Sequence, residues 1–460
     1  MALSIDDTNL LEALTRKLSV CGVDDIRHDA YYEGSHRLEQ LGLSVSPNLR
    51  LFETVVNWPR VCVDALEERI DVKSLMLPGV DVADPGLQDG WDVNNLDSES
   101  SLVHLDSLIH GRGFVSVGSP DEPGELPMVS VESPREVAVI VDPRQRRVSS
   151  ALKLYGETDL NPEPQLATLY QPDVTVWLEK SSMGRGWVEY DRDQHNLGRV
   201  PVVPFLNRRR TGRWLGVSEM VDVIPLADSA ARFLTRLEVA GETLAVPQKY
   251  ALGLTKGDFV DADGNPLPVW EAYYGAIWAT SNADAKVGQF AAADLSGFTD
   301  TVNHYAQLVA GLTGLPMRYL GQNTANPPSA DGIRADEARL VKRAERKAQS
   351  WGDQWGRVFA FFLRFRDGEW VSDGSRIKVE WHDAATPTYA AKVDGIQKLT
   401  GGKPILSQQG GWDELGWSEA RKERERQYQA DEAADPLIAD LLRPQPPAQP
   451  PDAGFPPLSG

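Results

Sequence analysis

The segment from Ser329 to Arg366 constrains this chain more than any other. Val341, Ala344, Ala348, Trp351, Trp355, Val358 and Phe362 recur at alternating steps of three and four, which lines them along one face of a helix. Ser329 and Asp331 are placed to cap its start, and Pro327 and Pro328 block an earlier helical register. Arg339, Lys342, Arg343, Arg346 and Lys347 make a basic side on the first half. That side reads either as a solvated face paired with Asp336, Glu337 and Glu345, or as a subunit contact or DNA-facing patch. The Trp351 and Trp355 stripe reads as core.

The rest of the chain arranges itself around this helix. Residues 1 to 41 look helical, with Leu10, Leu11, Leu14 and Leu18 on one face and Tyr31-Tyr-Glu-Gly34 closing the segment. Residues 53 to 76 form a second helical stretch, and the Pro- and Gly-rich residues 78 to 90 read as loop. A short helix runs through Leu102, Leu105, Leu108 and Ile109. From Gly113 to Tyr190 the period changes to two, and successive short strands with turn signals predict an antiparallel meander. Ser218 is expected to cap a helix ending near Leu244, with Pro225 in its second turn. A helix resumes near Ser296. Between them, residues 246 to 292 are rich in Gly, Pro and aromatics and read as a small α/β or β unit. After the long helix, Trp370-Val371 is expected to pair with Ile377-Lys-Val-Glu-Trp381. Residues 388 to 442 are helical with breaks, and the Pro-rich residues 443 to 460 are expected to be disordered. The class is α+β.

Composition excludes several functions. Of 460 residues, 67 are acidic and 47 basic, a net charge of −20, which argues against a free nucleic-acid binder. Hydrophobic residues at 41% support a large core, and 13 Trp supply wide surfaces for cores or subunit contacts. Cys21 and Cys62 read as free thiols suited to a reducing compartment. No apolar run approaches the about 20 residues a membrane helix needs. The first residues, with Asp6, Asp7 and Glu12, lack the apolar centre of a signal peptide.

Enzyme and cofactor signatures are missing as well. There is no G-x-x-x-x-G-K-[ST], no H-E-x-x-H and no G-x-S-x-G. The seven histidines show no metal-ligand spacing. Asp261-Ala-Asp-Gly-Asn265 resembles part of a calcium loop, but Phe259 and Trp270 would fall where oxygen ligands belong, so it reads as a turn. The basic turn Arg208 to Arg213 reads equally as phosphate contact or solvated turn. An acidic hydrolase would need a carboxylate pair such as Asp222 with Asp228 or Asp336 with Glu337, and nothing gathers a base, nucleophile and oxyanion donors around either. The chain is expected not to be an enzyme and to need no cofactor or metal.

The order of parts says more. Tyr31-Tyr-Glu-Gly34, Gly198-Arg-Val-Pro-Val-Val-Pro-Phe-Leu-Asn207, Gly216-Val-Ser-Glu219, Ala245-Val-Pro-Gln-Lys-Tyr-Ala-Leu-Gly253 and Gly314-Leu-Pro-Met-Arg-Tyr-Leu-Gly321 follow one another with helices at fixed places between them. This arrangement resembles the portal proteins of tailed bacteriophages, in the family of long-tailed phages of Gram-positive hosts. The resemblance implies a portal-like α+β fold. Residues 1–215 would be a β-rich wing, 216–245 and 293–314 paired stem helices, and 246–292 a clip. Residues 315–331 would be a tunnel loop, 332–385 the long helix and wing return, and 386–442 a helical crown. It also implies a ring of about twelve copies at a capsid vertex, since such interfaces close by symmetry. The implied partners are the terminase large subunit, the head–tail connector, major capsid and scaffold proteins, and double-stranded DNA passing through weakly bound. No membrane is implied. The expected site is the virion vertex, with host cytoplasm during assembly. In this scheme Arg318, Gln322, Asn323, Thr324 and Asn326 would face the tunnel, and Trp270, Tyr273, Tyr274 and Trp278 would make clip contacts. Arg339, Lys342, Arg343 and Arg346 would form the nearest basic stripe. A minor head protein that binds the ring without forming it is the rival.

Overall fold

The computed structural model describes residues 3–36, 54–79, 84–120, 122, 124–158, 161–181, 186–244, 249–253, 284, 286–289, 294–322, 329–370, 377–385, 389–401 and 404–434 of the chain. Two compact units are present, Met1–Ala385 and Thr386–Gly460. The expectation of helices with antiparallel sheets is borne out.

In the first unit, α1 (Ile5–Tyr32) is followed by α2 (Trp58–Glu67), β1 (Val72–Met76), α3 (Pro85–Val93) and α4 (Leu96–His110). Strands β2 (Arg112–Gly118), β3 (Met128–Glu132), β4 (Val137–Asp142), β5 (Arg147–Tyr155), β6 (Leu166–Tyr170), β7 (Thr175–Lys180), β8 (Trp187–Asp193) and β9 (Val202–Leu206) follow. Next come α5 (Ile224–Leu244), the ribbon β10 (Lys249–Leu252) with β11 (Lys286–Gln289), and α6 (Ser296–Thr313). A short 3₁₀ turn at Met317–Leu320 precedes α7 (Ala330–Asp367), and β12 (Lys378–Trp381) ends the unit.

The meander is two sheets, not one. Strands β4 to β8 pair in sequence order, while β2 pairs with both β3 and β9 in a separate three-stranded sheet. The period-two pattern explains how they stack. Ala138 and Ile140 point to one side with Leu152 and Leu169, where Leu11 and Leu14 of α1 cover them. Val137 and Val139 point to the other, against Phe114 and Val202 of the three-stranded sheet and Val200 just before it.

Four sequence expectations need correction. Residues 53 to 76 are not one helix, because Val72–Met76 is a strand antiparallel to β12, with Leu75 opposite Val379. Trp370 consequently forms no strand with 377–381, and Val371 lies outside the described residues. Residues 78 to 90 are not all loop. Pro85 sits in the first turn of α3, where its missing N–H costs nothing, and Asp84 caps the helix by accepting from Leu87 N at 3.0 Å. Finally, α5 begins at Ile224 rather than after Ser218, so Pro225 lies in its first turn and bends nothing.

The long helix forms as its spacing predicts, 38 residues with Ser329 Oγ accepting from Gly332 N at 3.2 Å. Its stripe is the centre of the main core. Ala344, Trp351, Trp355, Val358 and Phe362 are buried, joined by Leu340 and Phe359; Val341 is only partly buried. Trp355 meets Trp91 edge-on at 5.2 Å and Phe205 at 5.0 Å, and Trp351 stacks on His104 at 4.7 Å. Trp355 Nε1 donates to His104 Nε2 at 3.0 Å. Burial pushes the His104 imidazole down to about 3, so it stays neutral and accepts. Trp355→Phe removes that donor from a fully buried pair. The expected cost is about 1–3 kcal/mol, read as a lower urea midpoint with an unchanged far-ultraviolet circular dichroism spectrum.

The second unit holds α8 (Tyr389–Thr400), α9 (Gln408–Glu414) and α10 (Glu419–Ala434). Ser407 Oγ caps α9 by accepting from Gly410 N at 3.0 Å. Trp412 stacks on Trp417 at 5.8 Å, and the Arg421 guanidinium lies 4.2 Å from the Trp417 ring.

Candidate functional site

The sequence-predicted site residues that the structure describes gather where α6 ends and α7 begins. Helices α5 and α6 form a pair, with Phe233 against Phe298 at 6.2 Å and against Tyr305 at 6.0 Å. Helix α6 stops at Gly314, which adopts a left-handed backbone (φ 74°) that favours glycine. Its last carbonyls would be orphaned, since a helix end has no partners for them. Arg339 supplies them, its guanidinium donating to Gly311 O at 2.8 Å and Leu312 O at 3.3 Å. Arg343 donates to Thr313 O. Two cations of α7 therefore sit on the negative end of the α6 dipole.

Behind them lies a buried hub on Glu219. Arg343 and Lys347 both pair with its carboxylate, Lys347 at 3.0 Å, and Asn207 Nδ2 donates to it at 3.1 Å. Lys347 also donates to Asn207 Oδ1. Burial alone would raise the Glu219 carboxyl, but Lys347, Arg343 and Asn207 outweigh burial and hold it down at about 2. Glu219 appears in the sequence only inside the motif Gly216-Val-Ser-Glu219. Its cationic partners lie on a helix more than a hundred residues away, so no local signal marks it as a hub.

Arg318 lies nearer the polar loop. It pairs with Glu337, which also holds Arg69 at 3.3 Å. Arg69 in turn donates to Tyr319 Oη at 3.0 Å and to Ala384 O at 2.8 Å. Of the four stripe residues, Arg339 and Arg343 thus serve internal contacts. Lys342 pairs with Glu345 at 2.6 Å at the surface, and Arg346 is exposed, with no ion pair among the described residues. Arg208 in the basic turn pairs with Asp222 at 2.7 Å. Gln322 donates to Asn303 Oδ1 at 2.5 Å. Asn323, Thr324 and Asn326, and the clip residues Trp270, Tyr273, Tyr274 and Trp278, lie outside the described residues.

The carboxylates named for a hydrolase are not brought together as a pair. Asp222 holds Arg208, Asp228 accepts from Tyr31 Oη at 2.9 Å, and Glu337 holds two arginines. The molecule also presents apolar surface on two helices. Leu308 and Leu312 of α6 are 42% and 55% exposed, and Val20, Val23 and Ile26 of α1 are exposed in steps of three. No helix among the described residues is long and apolar enough to cross a membrane.

Stacked antiparallel sheets, a helix pair and a long buried helix follow one another along the chain. The family model described as phage portal protein, SPP1 Gp6-like, matches residues 26–436, and the chain belongs to that family. The resemblance read from the motif order is borne out. The chain is 35% identical over 415 residues to the portal protein of Mycobacterium phage D29, covering 88% of this chain and 85% of that protein. It is 34% identical over 438 residues to the portal protein of Mycobacterium phage L5, covering 92% and 89%. Among solved structures it is similar to a chain in the virion of a native gene transfer agent particle, at 16% identity and a TM-score of 0.45, covering 81% of this chain and 93% of that one. It is also similar to a chain in the neck of that particle computed with C12 symmetry, at 14% identity and a TM-score of 0.42, covering 82% and 94%.

Proposed function

We propose that about a dozen copies of this chain close into a ring at one capsid vertex, through which double-stranded DNA is packaged and later ejected. The ring would dock the terminase large subunit and then the head–tail connector, and contact capsid and scaffold proteins during assembly in the host cytoplasm. The observation that carries this reading is the family match over residues 26–436.

The geometry supports it. Residues 216–245 and 293–314 are the proposed stem. Leu308 and Leu312 on α6 are exposed in a single copy, as expected of a face that neighbours cover. Residues 246–292 are the proposed clip, with Trp270, Tyr273, Tyr274 and Trp278 as its contacts, and 315–331 the proposed tunnel loop. Residues 1–215 and 332–385 would make the wing, and 386–442 the crown.

A tunnel must let DNA slide. Holding scales with phosphates neutralised by Lys and Arg. Arg318, the cation nearest the loop, is already paired with Glu337. Gln322, Asn323, Thr324 and Asn326 carry no charge, and each copy has a net charge of −20. Weak, salt-sensitive affinity follows, with Kd of about 10⁻⁴ to 10⁻⁶ M or weaker.

Native mass spectrometry and negative-stain microscopy of protein from assembling cells test the proposal. The expected result is a closed ring with a pore, and the loss of that ring in Leu308→Glu/Leu312→Glu with the chain still folded. A folded monomer from assembling cells would instead favour a minor head protein that binds the vertex.

A further inference from the structure

We propose that Asp25, His28 and His110 form a binding site for a divalent transition metal of the zinc class, joining α1 to the end of α4. Asp25 and His28 stand three residues apart, on one face of α1. His110 is the last residue of α4, and Gly111 turns the chain away behind it with a left-handed backbone (φ 85°). The spacing between His28 and His110 hides the cluster from any sequence motif. In the fold, one ligand atom from each of the three residues lies within 4.8 Å of the others.

The hydrogen-bond arrangement points to a cation. Asp25 is wholly buried and His110 is 6% exposed. Asp25 Oδ1, His28 Nδ1 and His110 Nδ1 are all buried without a hydrogen-bond partner. The other oxygen of Asp25 accepts from Arg112 at 2.5 Å. His110 Nε2 lies 3.1 Å from Asp29 Oδ1. A carboxylate only accepts, so the His110 ring proton belongs on Nε2. In that tautomer the ring aims its Nδ1 lone pair at Asp25 Oδ1, 3.4 Å away. Two lone pairs facing one another inside a protein repel, and a shared cation removes the conflict. A carboxylate fixing the far nitrogen of a metal-bound histidine is the usual supporting arrangement. Here Asp29 takes that role, and Arg112 holds the unused oxygen of Asp25.

The donor set selects the class. Two imidazole nitrogens and one carboxylate oxygen suit zinc and its neighbours, while calcium and magnesium take oxygen alone. Three protein ligands leave a fourth position for water.

The competing occupant is a second proton on His110. The groups facing His110 are Asp25, Asp29, His28 and Arg112, with Asp106 one helical turn back on α4, its carboxyl pushed up to about 6 by burial. Either occupant ties α1, which covers the five-stranded sheet, to the residue that leads into β2. Only a metal gives a spectrum.

The test uses the full chain, freed of metal by chelator and titrated with Co²⁺. One Co²⁺ per chain is expected, with visible ligand-field bands that Zn²⁺ abolishes by displacement. His28→Ala, at a half-buried position that tolerates truncation, should lose at least about 100-fold in affinity, and His110→Gln the same. Asp29→Asn should weaken binding about tenfold while keeping the bands, as a positioning residue would. The proposal is overturned if the folded wild-type chain gives no saturable Co²⁺ bands, or if His28→Ala binds as wild type does. The readout is independent of ring formation, so a failure here leaves the portal reading untouched.

Discussion

Glu219→Ala is expected to destabilise the chain by about 3–5 kcal/mol, because it leaves two mostly buried cations without their counter-charge. Urea unfolding should show it as a large fall in midpoint. Lys342→Ala, which removes only a surface pair, should stay within about 0.5 kcal/mol. The Glu219 side chain is 8% exposed and neutralises both Arg343 and Lys347. Burial pulls the Lys347 ammonium down, and the Glu219 carboxylate opposes that pull. Acid should reproduce the effect in the wild-type chain. The folded carboxyl titrates near 2 and the unfolded one near 4.5, so the unfolded chain takes up the proton first. The stabilisation from this group, about 3 kcal/mol, is therefore complete above pH 4.5 and is lost as pH falls towards 2. Glu219→Gln has no such carboxyl, so its stability gap from wild type should narrow over that window. A gap that stays constant from pH 5 to about 2.5 would sink the assignment.

Gly216→Ala is expected to prevent folding or cost more than about 4 kcal/mol, an effect rare for a single methyl group. A β-carbon there would stand 1.7 Å from Gly111 O and 2.6 Å from Asn207 O, both backbone atoms that cannot swing aside. The two strands of chain cross at van der Waals contact. Asn207 N donates to Gly111 O at 2.9 Å, Val217 N to Asn207 O at 3.0 Å and Glu219 N to Leu108 O at 2.8 Å. This crossing delivers Glu219 to Asn207 and hence to the cations of α7. Gly212→Ala is the control, since nothing lies within 4 Å of its β-carbon position. Soluble yield and thermal unfolding decide the matter, and equal behaviour of the two variants would contradict the clash.

These effects trace how far the sequence could be read. The long helix was legible because its burial repeats within one element; Trp351 and Trp355 announce their own face. The β4 to β8 sheet was legible for the same reason, each strand pairing with its sequence neighbour. Strand β1 was not, because Val72–Met76 finds its partner at Lys378–Trp381, some three hundred residues on, and follows the end of α2 by only a few residues. Helix α3 hid behind Pro85 and Gly86, residues that signal a loop until the capping role of Asp84 is seen. The basic side of α7 was visible as charge. That Arg339 and Arg343 end in the carbonyls of α6 depends on a tertiary corner that no spacing encodes. The hub on Glu219 and the grouping of Asp25, His28 and His110 share this character, since their chemistry arises only where distant segments cross.

The corner between α6 and α7 has a mechanical consequence. Gly314 supplies the bend, yet the Arg339 side chain fills the space beside it, within 2.6 Å of where a β-carbon would stand. Arg339 and Arg343 then rivet the last turn of α6 to α7. A joint so filled and bolted transmits force instead of absorbing it. Torque on α6 is handed to α7, which conveys it from Arg339 to Trp355, about 24 Å along the helix, into the tryptophans at the centre of the core. The two helices work as a bell-crank, with its pivot at the glycine.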